Sequence, residues 1–135
     1  MADRASTGMR SPLGQVTGLG SAKEGTSHWW AQRLTAVALV PLTLWLVIAA
    51  LAQPNLGYAT VHAWLARPLD AFLAGLCVVV LAVHSWLGTT VIVEDYVHGR
   101  GAKLVTLVAL RFAHVLIGAA GAFAILRLSM GTLGS

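Results

Sequence analysis

An all-α integral membrane protein with three transmembrane helices is the fold this sequence predicts, on three observations. Charged residues make up only 10% of the 135 and hydrophobic residues 57%, where a soluble domain carries about 25% charge. The apolar residues gather into three runs, each near or above the roughly 20 residues that cross a bilayer core of about 30 Å. Lys and Arg collect at alternate ends of those runs, the asymmetry that orients a polytopic chain.

Residues 1–27 form a polar N-terminal segment rich in Gly, Ser and Thr. It is expected to be extended and poorly ordered unless a partner holds it. It does not read as a cleaved signal, because the apolar stretch starts only at Leu34 and no small-residue cleavage site follows it. Residues 28–130 read as one three-helix membrane domain with spans at about 29–51, 68–93 and 102–128. Pro41 sits inside the first span and predicts a kink, which neighbouring helices tolerate in a membrane. The connections "QPNLGYATVHAWLAR" and "EDYVHGRG" read as loops. Trp29, Trp30, Tyr58, Trp64 and Tyr96 fall at or near span ends, where amphipathic rings favour the interface.

Arg4, Arg10, Lys23 and Arg33 belong to the N-terminal end, and Arg100 and Lys103 to the second connection. The first connection has only Arg67 and the tail only Arg127. The positive-inside rule therefore places the N-terminus and residues 94–103 on the cytoplasmic or matrix side, and the C-terminus outside. The net charge of +4 comes from scattered residues, so the expected partner is the lipid membrane and not nucleic acid. A single cysteine, Cys77, excludes a disulfide framework and a Cys-based metal site. No flavin-binding glycine motif and no cysteine cluster for iron–sulfur centres is present. No internal repeat is visible.

Ionisable groups inside spans are costly and are functional candidates by default. Here they are His84, Arg111 and His114, with Glu94 and Asp95 at the inner end of the second span. Eleven residues on a helix advance about 1100°, about 20° past three full turns, so Asp95 lies under His84 on one face, roughly 16 Å along the axis. Gly88 is one turn from His84 on that face, and Tyr96 lies about 100° around from Asp95. Two readings fit His84. It is an axial haem ligand beside a glycine that admits a flat group, or it bonds a neighbouring helix while Gly88 serves close packing. The histidine alone favours the second. A six-coordinate haem also needs another ligand, from His114 or from another chain. Arg111 reads as snorkelling toward the inner surface, or as a partner for a haem propionate or lipid phosphate. "GAAGAFA", residues 118–124, supplies small residues for packing against another span. Tyr96 by itself reads as an interfacial anchor, and Glu94 and Asp95 as a solvated helix end.

The segment "HSWLGTTVIVEDYV" resembles the H-x-W-x-G-x(6)-D-Y-V pattern of the hydrophobic membrane anchor subunit of succinate dehydrogenase, the D-type anchor of respiratory complex II. His84, Trp86, Gly88, Asp95, Tyr96 and Val97 fall in register. "GTSHWWAQRLTAVALVPL" is similar to that family's approach to its first helix, and "GLGSAKEGTSHWW" to its alphaproteobacterial and mitochondrial branch. The resemblance covers about residues 18–128. It implies that His84 ligates a haem b shared with a C-type cytochrome b anchor subunit, which gives the second ligand. It implies that Tyr96 meets ubiquinone with Asp95 beside it, and that Arg33 lies near a haem propionate; His28 has no assigned role. It further implies an iron–sulfur subunit and a flavoprotein subunit that oxidises succinate, so the chain serves an enzyme of the tricarboxylic acid cycle and respiratory chain without oxidising succinate itself. The location implied is the bacterial inner (cytoplasmic) membrane, or the mitochondrial inner membrane in a eukaryote. The alternatives are a fumarate reductase anchor, and a cofactor-free three-span scaffold or transport protein. The second leaves the His84, Asp95 and Tyr96 register as coincidence, and the paired broken helices of transporters are missing.

Overall fold

Four helices account for most of residues 22–130, which the computed structural model describes: α1, Ala22–Leu51; α2, Tyr58–Leu65; α3, Pro68–Tyr96; and α4, Arg100–Met130. The three long ones are each long and apolar enough to cross a membrane. In hydrocarbon a helix satisfies every backbone polar group within its own segment, and hydroxyls follow the same rule. Thr43 donates to the Leu39 carbonyl at 2.6 Å, and Thr90 to the Trp86 carbonyl at 2.8 Å. α1 runs unbroken through Pro41. α3 starts on Pro68, where the missing N–H costs nothing in a first turn. Asp70 in that turn lies 3.7 Å from Arg67, its charge facing the positive end of the helix.

α3 is the central element. α1 runs antiparallel to it, with Thr35 at the level of His84 and Gln32 at the level of Gly88. α4 runs antiparallel on its other side, with His114 at Ser85, Gly118 at Ala82 and Gly121 at Val78. Small residues set that second spacing. A Cβ on Gly118 would stand 3.0 Å from the Ala82 Cβ, and one on Gly121 would stand 2.7 Å from Val78 Cγ1. Residues 118–124 do pack against another span, and the span is α3. Buried side chains are few, among them Leu42, Ala74, Cys77 and Leu87. Large apolar side chains such as Val37, Leu51, Leu104 and Ile117 face outward, as a lipid-facing surface requires.

Three expectations are corrected. Residues 22–27 were expected to be extended, but they form the first turns of α1. A continuous helix satisfies their backbone groups, and that outweighs the weak local preference of Gly, Ser and Thr. The rest of the expected polar segment, residues 1–21, lies outside the described residues. The first connection is not all loop, because it holds α2. Val61, Trp64 and Leu65 recur at helical spacing, and Trp64 and Leu65 are buried. Trp64 packs 6.1 Å from the Trp45 ring and is no longer a wet anchor. The turn before α2 is built on Asn55, whose Oδ1 accepts from the Gly57 N–H and the Thr60 hydroxyl, both at 2.9 Å. α3 also continues to Tyr96, which puts Asp95 and Tyr96 in its last turn.

Candidate functional site

His84 is half-buried in the middle of α3 and turned toward α1. Its Nδ1 lies 2.9 Å from Thr35 Oγ1. The Thr35 hydroxyl has one proton, and it points back into α1, at 2.8 Å from the Ala31 carbonyl and 3.1 Å from that of Gln32. Both contacts of the hydroxyl are hydrogen bonds at once only in the tautomer in which His84 donates through Nδ1–H and the oxygen accepts. A neutral ring with its proton on Nδ1 has a lone pair on Nε2, and Nε2 makes no hydrogen bond among the described residues. This is the state in which an imidazole ligates a metal.

Toward the N-terminus of α1, His28 and Gln32 share the face of Thr35, at helical spacings of four and three residues. His28 Nε2 and Gln32 Oε1 are buried and have no hydrogen-bond partner among the described residues. Buried polar atoms are nearly always bonded in a finished structure, so these two await something that the described residues do not supply. Gln32 also covers Gly88, its Nε2 lying 3.6 Å from where a Cβ would stand. Arg33 takes another direction. Two residues before Thr35, it lies about 200° around α1, is exposed, and stacks 5.4 Å from the Trp29 ring centroid. Within this chain Arg33 and His84 are not brought together.

His114 is spent on packing. Its Nδ1–H donates to the Leu110 carbonyl at 2.8 Å, and Ser85 Oγ–H donates to its Nε2 at 3.2 Å. Both ring nitrogens are occupied. Arg111 is exposed and lies 5.3 Å over the Trp86 ring, within the reach of a cation–π contact. These residues border an apolar groove of about 290 Å³ between α3 and α4, lined also by Val79 and Gly118. Trp86 and Ala82 lie about 160–200° around α3 from His84, so this groove is not the candidate site.

Asp95 and Tyr96 end α3, and both are exposed. Tyr96 lies about 18 Å along the helix from His84. The turn that follows is held by its backbone. His98 Nδ1–H donates to the Tyr96 carbonyl at 3.0 Å, and the Lys103 ammonium donates to the Glu94 carbonyl at 2.7 Å. Both carboxylates are left facing outward. The structure thus carries His84, Gly88, Asp95 and Tyr96 on one helix and adds two residues not singled out from sequence, Thr35 and Gln32. The signal for them was present: His28, Gln32 and Thr35 form a polar stripe in a helix otherwise facing lipid. Ser85 was hidden by its neighbour His84.

Residues 7–118 match the family described as the succinate dehydrogenase/fumarate reductase transmembrane subunit. The chain is 34% identical over 123 residues to the succinate dehydrogenase hydrophobic membrane anchor subunit of Paracoccus denitrificans, covering 91% of this chain and 95% of that one. It is 31% identical over 107 residues to the subunit of the same name in Rickettsia bellii (strain RML369-C), covering 79% and 86%. It is 34% identical over 92 residues to the succinate dehydrogenase membrane anchor subunit of Reclinomonas americana, covering 66% and 77%. With three membrane-spanning helices and these likenesses, the chain belongs to the family of succinate dehydrogenase hydrophobic membrane anchor subunits.

Proposed function

We propose that this chain anchors a succinate:quinone oxidoreductase in the bacterial inner membrane, or the mitochondrial inner membrane in a eukaryote, and supplies one side of its haem b and ubiquinone sites. The observation that carries the reading is His84: an imidazole in mid-span whose Nδ1 lies 2.9 Å from Thr35 Oγ1 and whose Nε2 makes no hydrogen bond among the described residues. Among the described residues no three His, Cys, Asp or Glu side chains gather as a bare metal ion would need. An axial ligand to a porphyrin needs only the one imidazole. The neighbourhood fits a haem edge: Gly88 offers little bulk one turn away, and His28 Nε2 and Gln32 Oε1 are polar atoms without a partner among the described residues. When bound, the haem exchanges one electron at a time.

Both ring nitrogens of His114 are bonded, so on this reading the haem's other protein ligand would come from the C-type cytochrome b anchor subunit that the family resemblance implies. Arg33, which stacks on Trp29 and pairs with no carboxylate among the described residues, is the residue offered to a propionate. At the inner end of α3 the Tyr96 hydroxyl donates to a ubiquinone carbonyl oxygen, stabilising the charge that develops there on reduction. Asp95 beside it holds or relays a proton from the inner aqueous side. The iron–sulfur and flavoprotein subunits dock on that side and carry the oxidation of succinate.

His84→Ala tests the reading. The b-type absorption of the assembled complex should be lost or strongly altered. An unchanged reduced spectrum, with the ferric electron paramagnetic resonance of the parent complex, rejects His84 as a ligand.

A further inference from the structure

We infer that Thr35 is the positioning residue for His84: its hydroxyl accepts the Nδ1 proton, fixes which nitrogen is bare, and strengthens that nitrogen as a donor to iron. The inference rests on the reading of His84 as a haem ligand and adds a residue of the other helix to it.

Three observations converge on Thr35. The Oγ1 to Nδ1 distance is 2.9 Å, a full hydrogen bond. The hydroxyl's only proton is committed to the Ala31 carbonyl at 2.8 Å, shared with that of Gln32 at 3.1 Å. With the proton there, the oxygen accepts from the ring, the one arrangement that keeps both bonds. A threonine also suits the task better than a freely turning donor. Its branched Cβ restricts χ1, and the bond back into α1 fixes the rotamer that faces α3. The imidazole plane is thus held by a second helix, and a ring flip, which puts Cδ2 where Nδ1 stood, would leave Thr35 Oγ1 without its partner.

The consequence has a sign. A ligating histidine that donates its other N–H to an acceptor gains basicity at the ligating nitrogen. A stronger donor stabilises ferric over ferrous iron, so the bond lowers the haem potential. Losing it should raise the potential and loosen the haem. A contact that serves only to join α1 to α3 makes neither prediction.

The experiment compares Thr35→Val, which keeps the shape and loses the hydroxyl, with Thr35→Ser, which keeps the hydroxyl, in the whole assembled complex. The readouts are a redox titration of the reduced haem band, the low-temperature electron paramagnetic resonance of the ferric haem, and haem retained per complex after washing. Thr35→Val should raise the midpoint potential; a tenfold loss of ferric preference corresponds to about 59 mV for one electron. It should also shift the ferric g values and weaken haem retention by about ten- to a hundredfold. Thr35→Ser should restore all three toward the parent. If Thr35→Val does not assemble, Thr35→Ala carries the same test. A Thr35→Val complex that melts earlier but has the parent potential and g values overturns the inference and leaves a helix-joining bond. Failure of the underlying reading is seen separately, because His84→Ala would then retain the parent haem spectrum.

Discussion

On one side of α3, Val78 and Ala82 meet Gly121 and Gly118 of α4, and the histidine there, His114, has both ring nitrogens bonded. On the other side, α1 presents His28, Gln32 and Thr35 to His84 and Gly88, and two buried polar atoms of that set, His28 Nε2 and Gln32 Oε1, have no partner among the described residues. The two seams hold the same helix by different means. The seam with α4 is completed by this chain, through close backbone approach and one closed hydrogen-bond pair. The seam with α1 is half of something. Van der Waals packing of small residues holds membrane helices together without help, whereas unpaired buried polar atoms cost about 1–3 kcal/mol each and persist where an assembly partner or cofactor meets them. Two histidines on adjacent helices are thereby sorted into opposite roles.

The comparison breaks most easily at Gly121. Gly121→Leu puts a branched side chain where its first carbon already stands 2.7 Å from Val78 Cγ1. Val78 is β-branched and has little freedom to turn aside. Overpacking of this kind costs about 3 kcal/mol, and assembled complex should largely disappear from membranes on native electrophoresis. Normal yield would mean that α4 does not need its close approach to α3. A second substitution probes the open side at its inner end. Tyr96→Phe keeps the ring and removes the hydroxyl. Losing one hydrogen bond to a developing charge costs about 1–3 kcal/mol, roughly ten- to a hundredfold in quinone turnover. The haem spectrum should stay normal, and succinate oxidation with an acceptor that bypasses quinone should persist. Parent rates with quinone would reduce Tyr96 to an interfacial anchor.

The three spans were legible because hydrocarbon leaves the sequence little choice: long apolar runs had to be helices, and Lys and Arg had to sit at their ends. His84 stood out for the same reason, as an imidazole costly to bury, but by itself it favoured a bond to a neighbouring helix, and the ligand reading came from its register with Gly88, Asp95 and Tyr96 in the family pattern. What escaped was whatever depends on two helices at once. Thr35 reads as an ordinary membrane threonine bonding its own helix, as Thr43 does. Only the register of α1 on α3 shows that its oxygen also faces an imidazole. His114 and His84 are indistinguishable by composition and depth, and the Ser85 hydroxyl separates them. The short α2 was missed because its apolar spacing spans barely two turns, and burial under Trp45 stabilises it.

Ser85→Ala sharpens the contrast between the two histidines at a smaller cost. It removes the donor to His114 Nε2, and side-chain hydrogen bonds between membrane helices average about 0.6 kcal/mol. The thermal midpoint of the complex should fall slightly. The haem potential should not move, because His114 is bonded within the seam that the chain completes by itself. A shift as large as that of Thr35→Val would place His114 in contact with the haem and dissolve the distinction.

The smallest effect on stability, and the finest test, is one carbon added to each seam. A Cβ at Gly121 meets Val78 Cγ1 at 2.7 Å, whereas a Cβ at Gly88 meets only Gln32 Nε2, at 3.6 Å, an ordinary contact with the end of a flexible side chain. By the packing of this chain alone, Gly121→Ala should lower the thermal midpoint of the complex. Gly88→Ala should leave it within about 0.5 kcal/mol, a helix interior favouring alanine over glycine by up to 1 kcal/mol. Gly88 is one turn from His84, however, on the face where Nε2 is bare. If its missing side chain is reserved for a flat group from outside the chain, Gly88→Ala should lower haem content or displace the reduced band while the midpoint stays put. Stability and spectrum then separate: Gly121→Ala moves the first, and Gly88→Ala the second. A Gly88→Ala complex with the parent spectrum and full haem would mean that the glycine serves only the fit of Gln32, and that the open seam is narrower than His84 Nε2 suggests.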